Sequence, residues 1–355
     1  MGATLQTVAD EVGVSRSTVS NAYGRPDQLS PELRARILEV AGRLGYPGPH
    51  PAARSLRRGR VDAIGVLFTA NLATAFTDPY AVAYLRGLAE AAQVRETSLL
   101  LIPLPHSDEE GALRTVRNAA VDAFCVYCIP DWYGALDVIR ARGLPVVTGA
   151  HPDKLPPGVC FVGIDDRAAA RNLGEHVVRL GHRKVAIVAQ WLTDVERTGE
   201  VSVASDAELR YYVTGERVRG FHDAFAAAGV PWSDVTLVNA TDNDRACGAE
   251  AAGYALDRLD RSTAILATSD VLALGALDAL AARGLRPGRD VSVTGFDDIP
   301  EAGLAGLTTI RQPSVERGRL AGELLLDPPD DLDQRRHVLP TSLVVRATTG
   351  PMEDR

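Results

Sequence analysis

The chain has 355 residues, 46% apolar and 24% charged, with a formal net charge of −8. That length allows more than one domain, and the apolar share permits large cores. No run approaches the ~18 apolar residues of a membrane span, and the opening MGATLQTVAD lacks the apolar segment of a secretory signal, so a cytoplasmic chain with no membrane partner is expected.

Charge is unevenly spread. Residues 1–60 hold nine arginines against five acidic residues, a net of +4, and the remainder carries −12. A basic head on an acidic body points to a separate nucleic-acid module.

Residues 4–23, TLQTVADEVGVSRSTVSNAY, read as two short helices joined by a glycine turn. Thr4 suits the N-cap of the first. Leu5, Val8, Ala9 and Val12 form its apolar stripe. Gly13 permits a left-handed turn, and Ser15 caps the second helix. At about 100° per residue, Arg16, Ser17, Ser20 and Asn21 share one polar arc, while Thr18, Val19, Ala22 and Tyr23 share the other. Arg16 suits guanine O6/N7, Asn21 suits adenine N6/N7, and the serines suit bases or phosphates. An ordinary trihelical subdomain with a solvated polar face would look similar. A third helix follows, capped by Ser30 with Pro31 at its first position.

The linker GYPGPHPAARSLRRGR (45–60) encloses a short basic helix in which Ala53 and Leu56 share a face, with Arg54 beside them. A leucine set among arginines suits a wedge between base steps in the minor groove.

From Val61 onward, apolar strand-like runs alternate with helical stretches: strands at 63–68, 98–104, 123–129, 145–148, 184–189, 235–239, 264–268 and 290–296. Helices are expected near 81–95, 109–118, 132–142, 167–180, 217–228, 246–259 and 271–283. Such a pattern means parallel sheets covered on both faces, with a ligand at the carboxyl ends of the strands. Cys125 and Cys128 in AFCVYCI lie on a strand, where i and i+3 face opposite ways, so they read as core residues and not as a metal or redox pair.

Asp78 and Tyr80 follow the first strand, where an acid and an aromatic suit a sugar ring; a plain helix-start Asp-Pro pair is the alternative. Asn243, in the loop after VTLVN, is a further ligand candidate. Asp270 either caps the helix after AILAT, or accepts from ligand hydroxyls, or does both. Asp297 in GFDD is expected to secure a chain crossing. The segment 191–216 is either a lid over the cleft or a solvated insertion.

The N-terminal motif, the third helix SPELRARILEVAGRLGY and PAARSL together resemble the lactose/galactose repressor (LacI/GalR) family. So do RLGHRKVAIVA, GERVRGFHDAF, TAILATSDVLALGALDALAARGLRPGRDVSVTGFDDIP, LTTIRQPSVERGRLAGELLL and LPTSLVVRATTG. The resemblance spans nearly the whole chain. It implies an all-α helix-turn-helix head (1–47), a hinge (48–61) whose helix orders on DNA, and an α/β effector domain (62–348) like type I periplasmic binding proteins. Its two subdomains would hold about 62–163 with 296–320, and about 165–294 with 322–348. It implies that Arg16, Ser17 and Asn21 read bases, that Leu56 opens the operator centre, and that Arg217 grips ligand oxygens, a surface arginine opening a helix being the alternative. The family's usual residue at the Asn21 position is arginine.

The function implied is that of a ligand-responsive repressor. It would bind a pseudo-palindromic double-stranded DNA operator as a homodimer and take a small effector, a sugar by default. The alternative is a solute-binding protein without a DNA role, which the basic head opposes. GxxxxGK[ST], HExxH and GxSxG motifs are absent, and His182 has no evident acid-base partner, so no enzyme, cofactor or metal is expected.

Overall fold

The computed structural model describes residues 2–49, 58–68, 72–104, 108–128, 134–192, 197–202, 209, 211–257 and 262–352. Two compact units divide at Asp62.

The first unit carries α1 (Leu5–Val12), α2 (Arg16–Gly24) and α3 (Pro31–Arg43). Their ends are fixed by local chemistry. The Thr4 hydroxyl accepts from the Thr7 amide, and Thr7 Oγ1 accepts the Thr4 amide in return. Gly13 turns left-handed at φ 80°, and Ser15 and Ser30 cap α2 and α3. Val8, Ala9, Val12, Val19, Ala22, Ile37, Val40 and Ala41 close one small core.

In the second unit, one lobe opens with β1 (Ala63–Phe68), α4 (Pro79–Val94), β2 (Ser98–Pro103), α5 (Glu109–Asn118), β3 (Ala123–Cys128), α6 (Ala135–Ala141), β4 (Val146–Thr148) and β5 (Val159–Ile164). The other opens with α7 (Asp166–Arg179), β6 (Val185–Gln190), β7 (Gly199–Glu200), α8 (Tyr212–Ala227), β8 (Val235–Ala240), α9 (Arg245–Leu256), β9 (Ala264–Ala267), α10 (Asp270–Ala282) and β10 (Ser292–Thr294). The chain then runs through α11 (Pro300–Leu304), β11 (Thr309–Arg311), α12 (Ser314–Leu326), β12 (Arg336–Leu339) and β13 (Ser342–Val344).

The first sheet has the order β12-β5-β4-β3-β1-β2, all parallel. The second has the order β10-β9-β6-β8-β7, parallel except for β7 at its edge. The inner strands β1 and β5 are buried throughout, as parallel strands under helices on both faces must be.

The expected allocation of the last third needs correcting. Phe296, Ile299, Ala302, Leu307 and Ile310 pack into the cores of the second lobe, whereas 296–320 is expected in the first, where only the start of α12 lies. Ala321, Leu324 and Leu325 of α12 pack into the first lobe, and β12 pairs with β5 there, whereas 322–348 is expected in the second, where only its end lies, with β13 paired to β11 and Thr348 bonded to Val293 and Thr308. The cause is apolar content: α12 carries its buried face toward α4, and the 296–310 stretch has its apolar side chains where β9 and β10 end.

The helices α4 and α12 cross at two glycines. A Cβ on Gly318 would fall on the carbonyl oxygen of Tyr84, and one on Gly87 would fall on that of Val315. Gly318→Ala must therefore push the helices apart. It is expected to cost about 1–3 kcal/mol, read as a lower denaturant midpoint with unchanged slope.

Cys125 lies buried on β3 with its Sγ 3.0 Å from the Tyr84 hydroxyl, and burial pushes its thiol up to about 11, which keeps it a protonated thiol at neutral pH. His182 is buried between Thr263 Oγ1 at 2.9 Å and the Gly350 carbonyl at 3.1 Å, where it fastens the C-terminal segment to the second lobe.

Candidate functional sites: a polar helix face and an inter-lobe cleft

On α2, Arg16 and Ser17 are exposed, Thr18 and Asn21 are half-buried, and Ser20 is buried at 2% exposure. The Ser20 position corrects the expected polar arc. It sits one step beyond Arg16 around the helix, and on so short a helix the packed arc through Ala22, Val19 and Tyr23 reaches that far. Its hydroxyl has no partner among the described residues. Ser20→Ala is therefore expected to be neutral or to stabilise the head by up to about 1 kcal/mol, seen as a higher melting temperature with operator affinity unchanged. A fall in operator affinity would return Ser20 to the DNA-contacting set.

Thr4 and Ser15 spend their hydroxyls on helix caps. Ser15 Oγ also lies 2.7 Å from Ser17 Oγ and 2.8 Å from Thr18 Oγ1. The Asn21 amide nitrogen donates to Gln28 Oε1 at 3.1 Å, a partner that sequence reading did not find. Ala53, Arg54 and Leu56 lie outside the described residues.

The second site is a cleft where the two lobes of the body meet, with a cavity of about 120 Å³. Four of the five expected ligand residues line it: Asp78, Tyr80, Arg217 and Asn243. Asp78 caps α4 through the Tyr80 amide at 3.0 Å. It also accepts from the Asn243 amide at 3.2 Å, across the cleft. Burial pushes its carboxyl above the ordinary range, against the hydrogen bonds from Tyr80 and Asn243 that pull it down. The Tyr80 hydroxyl accepts from Arg317 Nη1 at 2.7 Å.

Arg217 does not open a helix; it sits within α8, which starts at Tyr212, and is 6% exposed. Its Nε donates to Asp166 Oδ1 at 2.8 Å and its Nη1 to the Thr268 carbonyl at 2.5 Å. Nη1 also stands 3.8 Å from Asp297, and the guanidinium lies 3.7 Å from the Phe296 ring centroid. Burial alone would lower its pKa, but Asp166 and Asp297 more than offset that, so it stays charged.

Asp270 does not line the cleft. It is fully buried and receives Thr309 Oγ1 at 2.6 Å and the Ile299 amide at 2.9 Å. The cap of α10 is Ser269, whose Oγ accepts from the Leu272 amide at 3.2 Å and donates to Asn243 Oδ1 at 2.5 Å. The expected role thus moves by one residue, because the helix begins at Asp270 itself. Burial pushes the Asp270 carboxyl up to about 6 from 3.8. Between those values the folded chain holds a proton that the unfolded chain has released, so stability falls as pH rises through that window. Asp270→Asn is expected to flatten this part of the melting-temperature profile relative to the natural chain.

Asp297 lines the cleft and accepts from Gln312 Nε2 at 2.5 Å; because 296–310 stays with the second lobe, no crossing falls at Asp297 itself. Burial holds its carboxyl well above the usual range, and Arg217 only partly offsets this. Arg317 and the aromatic walls were not read from the sequence. Phe68 and Tyr127 stack at 4.8 Å on the first lobe, and Trp191 and Tyr211 at 5.0 Å on the second. Trp191 at one end of 191–216, and Tyr211, Tyr212, Val213 and Thr214 at the other, line the cleft. Asn239 anchors the segment through the Leu192 amide and the Arg197 carbonyl, and β7 extends the sheet beside β8.

Among the described residues, no group of three or more His, Cys, Asp or Glu could hold a metal ion, and no helix is long and apolar enough to cross a membrane.

Residues 4–48 match the model of bacterial regulatory proteins of the lacI family, and residues 175–349 match the periplasmic binding protein-like domain. An HTH-type transcriptional regulator of Mycolicibacterium smegmatis is 42% identical over 355 residues, covering 98% of this chain and 97% of that one. The lac repressor dimer bound to operator and the anti-inducer ONPF has a TM-score of 0.76 at 25% identity, over 98% of this chain and 99% of that one. The complex of the transcriptional regulator CelR with cellobiose has a TM-score of 0.67 at 26% identity, over 98% and 99%.

Proposed function

Because the chain belongs to the lacI family of bacterial regulatory proteins, transcriptional regulators with a helix-turn-helix head and a periplasmic-binding-like body, we propose that it is a ligand-responsive repressor. It binds a pseudo-palindromic operator as a homodimer and takes a small-molecule effector, a sugar or sugar derivative, in the inter-lobe cleft. The observation that carries this reading is the Asp78–Asn243 hydrogen bond, which joins the two lobes at the cavity itself. A ligand that engages both residues gains differential affinity for one lobe arrangement, which is what a switch requires.

In the head, Arg16, Ser17 and Asn21 read base edges in the major groove, with Gln28 orienting the Asn21 amide. Thr4, Ser15 and Thr18 approach the backbone, and the hinge supplies Ala53, Arg54 and the Leu56 wedge. Ligand closure rotates one lobe on the other and thereby biases how the hinge meets DNA. The relatives' role as regulators, and the cellobiose named with one structural neighbour, support this assignment.

Footprinting on the DNA upstream of the chain's own gene tests the reading. Protection of a two-fold symmetric site with half-sites one helical turn apart, or a multiple of it, is expected. Absence of any protected symmetric site there or elsewhere in the genome overturns it.

A further inference from the structure

Three polar side chains from distant stretches of chain form a hydrogen-bonded line that runs from one lobe to the other. Asp78 belongs to the first lobe, where it caps α4. Asn243 and Ser269 belong to the second, in the loop before α9 and at the cap of α10. Asn243 Nδ2 donates to Asp78 Oδ2 at 3.2 Å, and Asn243 Oδ1 accepts from Ser269 Oγ at 2.5 Å. Ser269 Oγ in turn accepts from the Leu272 amide at 3.2 Å. Asp78 and Ser269 are both buried. Asn243 lines the cavity and Ser269 does not, so Ser269 stands at one remove from it.

A primary amide has a donating end and an accepting end, and the two ends act oppositely at this place. Asp78 already spends Oδ1 on the Tyr80 amide, and an ionised carboxylate only accepts. Asn243 therefore ties the lobes together only with its NH2 turned toward Asp78. Turned over, its carbonyl oxygen would face the carboxylate, and acceptor would meet acceptor. The Ser269 hydroxyl decides between the two. It carries one proton, and its oxygen already receives the Leu272 amide. That proton goes to the amide oxygen of Asn243, which leaves the NH2 aimed at Asp78. We infer that Ser269 is a positioning residue of the lobe switch: acting through Asn243, it sets the strength of the latch between the lobes and so the balance of open and closed body. The inference rests on the reading of the body as a two-lobed switch and deepens it. Two arrangements of the lobes differ by this bond, and whatever strengthens or weakens it shifts their populations.

Pulsed electron paramagnetic resonance on the full chain, without ligand or DNA, tests this. Ketone-directed spin labels at Arg117 on α5 and Glu250 on α9, both exposed and one on each lobe, bypass the native cysteines. An excess of unlabelled chain removes distances between copies. Asn243→Ala is expected to lower the closed-to-open ratio about tenfold, because a hydrogen bond to a charged acceptor is lost. Ser269→Gly keeps most of the helix cap but has no hydroxyl, and is expected to lower the ratio about threefold. Ser269→Thr keeps the hydroxyl and restores it. In the Asn243→Ala background, Ser269→Gly should add nothing, since its effect passes through the amide. A residue that merely caps α10 would lower the unfolding midpoint and leave the distances unmoved. An unchanged distribution in Ser269→Gly, or a shift that persists in full in the Asn243→Ala background, overturns the inference. Neither outcome involves DNA, so the regulator reading stands or falls separately, by footprinting.

Discussion

Arg217→Ala is expected to yield a protein that binds its operator normally, no longer answers to ligand, and is less stable by about 3–5 kcal/mol. The stability loss follows from burial. Asp166 is 3% exposed and has its Oδ1 on Arg217 Nε; without the guanidinium it becomes a buried carboxylate with no countercharge. The loss of response follows from position, since the same guanidinium lines the cavity between Asp166 and Asp297. A ligand at 100 times its Kd stabilises the natural chain by about 2.7 kcal/mol, and this increment should vanish in the variant. Arg217→Lys separates the two effects. A lysine keeps the charge beside Asp166 but lacks the planar fork, so most of the stability returns while ligand response stays impaired. Thermal unfolding with and without ligand, together with operator anisotropy, reads both quantities. A variant that still responds normally removes Arg217 from the site.

The double substitution Arg16→Ala with Asn21→Ala is expected to cost about 2–6 kcal/mol of specific operator affinity, because each bidentate base contact is worth about 1–3 kcal/mol. Binding to unrelated DNA, which rests on phosphate contacts, should persist with an unchanged salt slope. Neither side chain contributes to the head's core, so stability should barely move. Gln28→Ala, which releases the Asn21 amide, should act in the same direction but more weakly, relaxing preference at the one base that Asn21 reads. A double variant with an unchanged ranking of operator sequences would contradict the assignment.

The head was legible because its signals are local. Thr4, Gly13, Ser15, Ser30 and Pro31 act within a few residues of themselves, and each takes its expected place. Ser20 was misread because its burial depends on how far the neighbouring helices wrap around α2, which periodicity does not state. The same limit applies in the body. Core strands were readable from apolar runs, but β12 is a short edge strand with alternating exposure and carries little apolar signal. The helix holding Arg217 begins five residues earlier than expected, at Tyr212, which turns an opening residue into a buried one. Asp270 and Ser269 differ by a single position at a helix start, and only the observed bonds decide which of them caps. Phe68, Tyr127, Trp191 and Arg317 converge from four distant stretches of chain, so no local pattern marks them as one site.

On the proposed function, a ligand in the cleft controls how tightly the head holds DNA. Titrating the labelled operator with the full chain, without ligand and at a saturating concentration of the sugar or sugar derivative that binds it most tightly, tests it directly. At least a tenfold change in operator Kd is expected, absent in Arg217→Lys. An operator Kd that stays the same while calorimetry shows the cleft to be filled would contradict it.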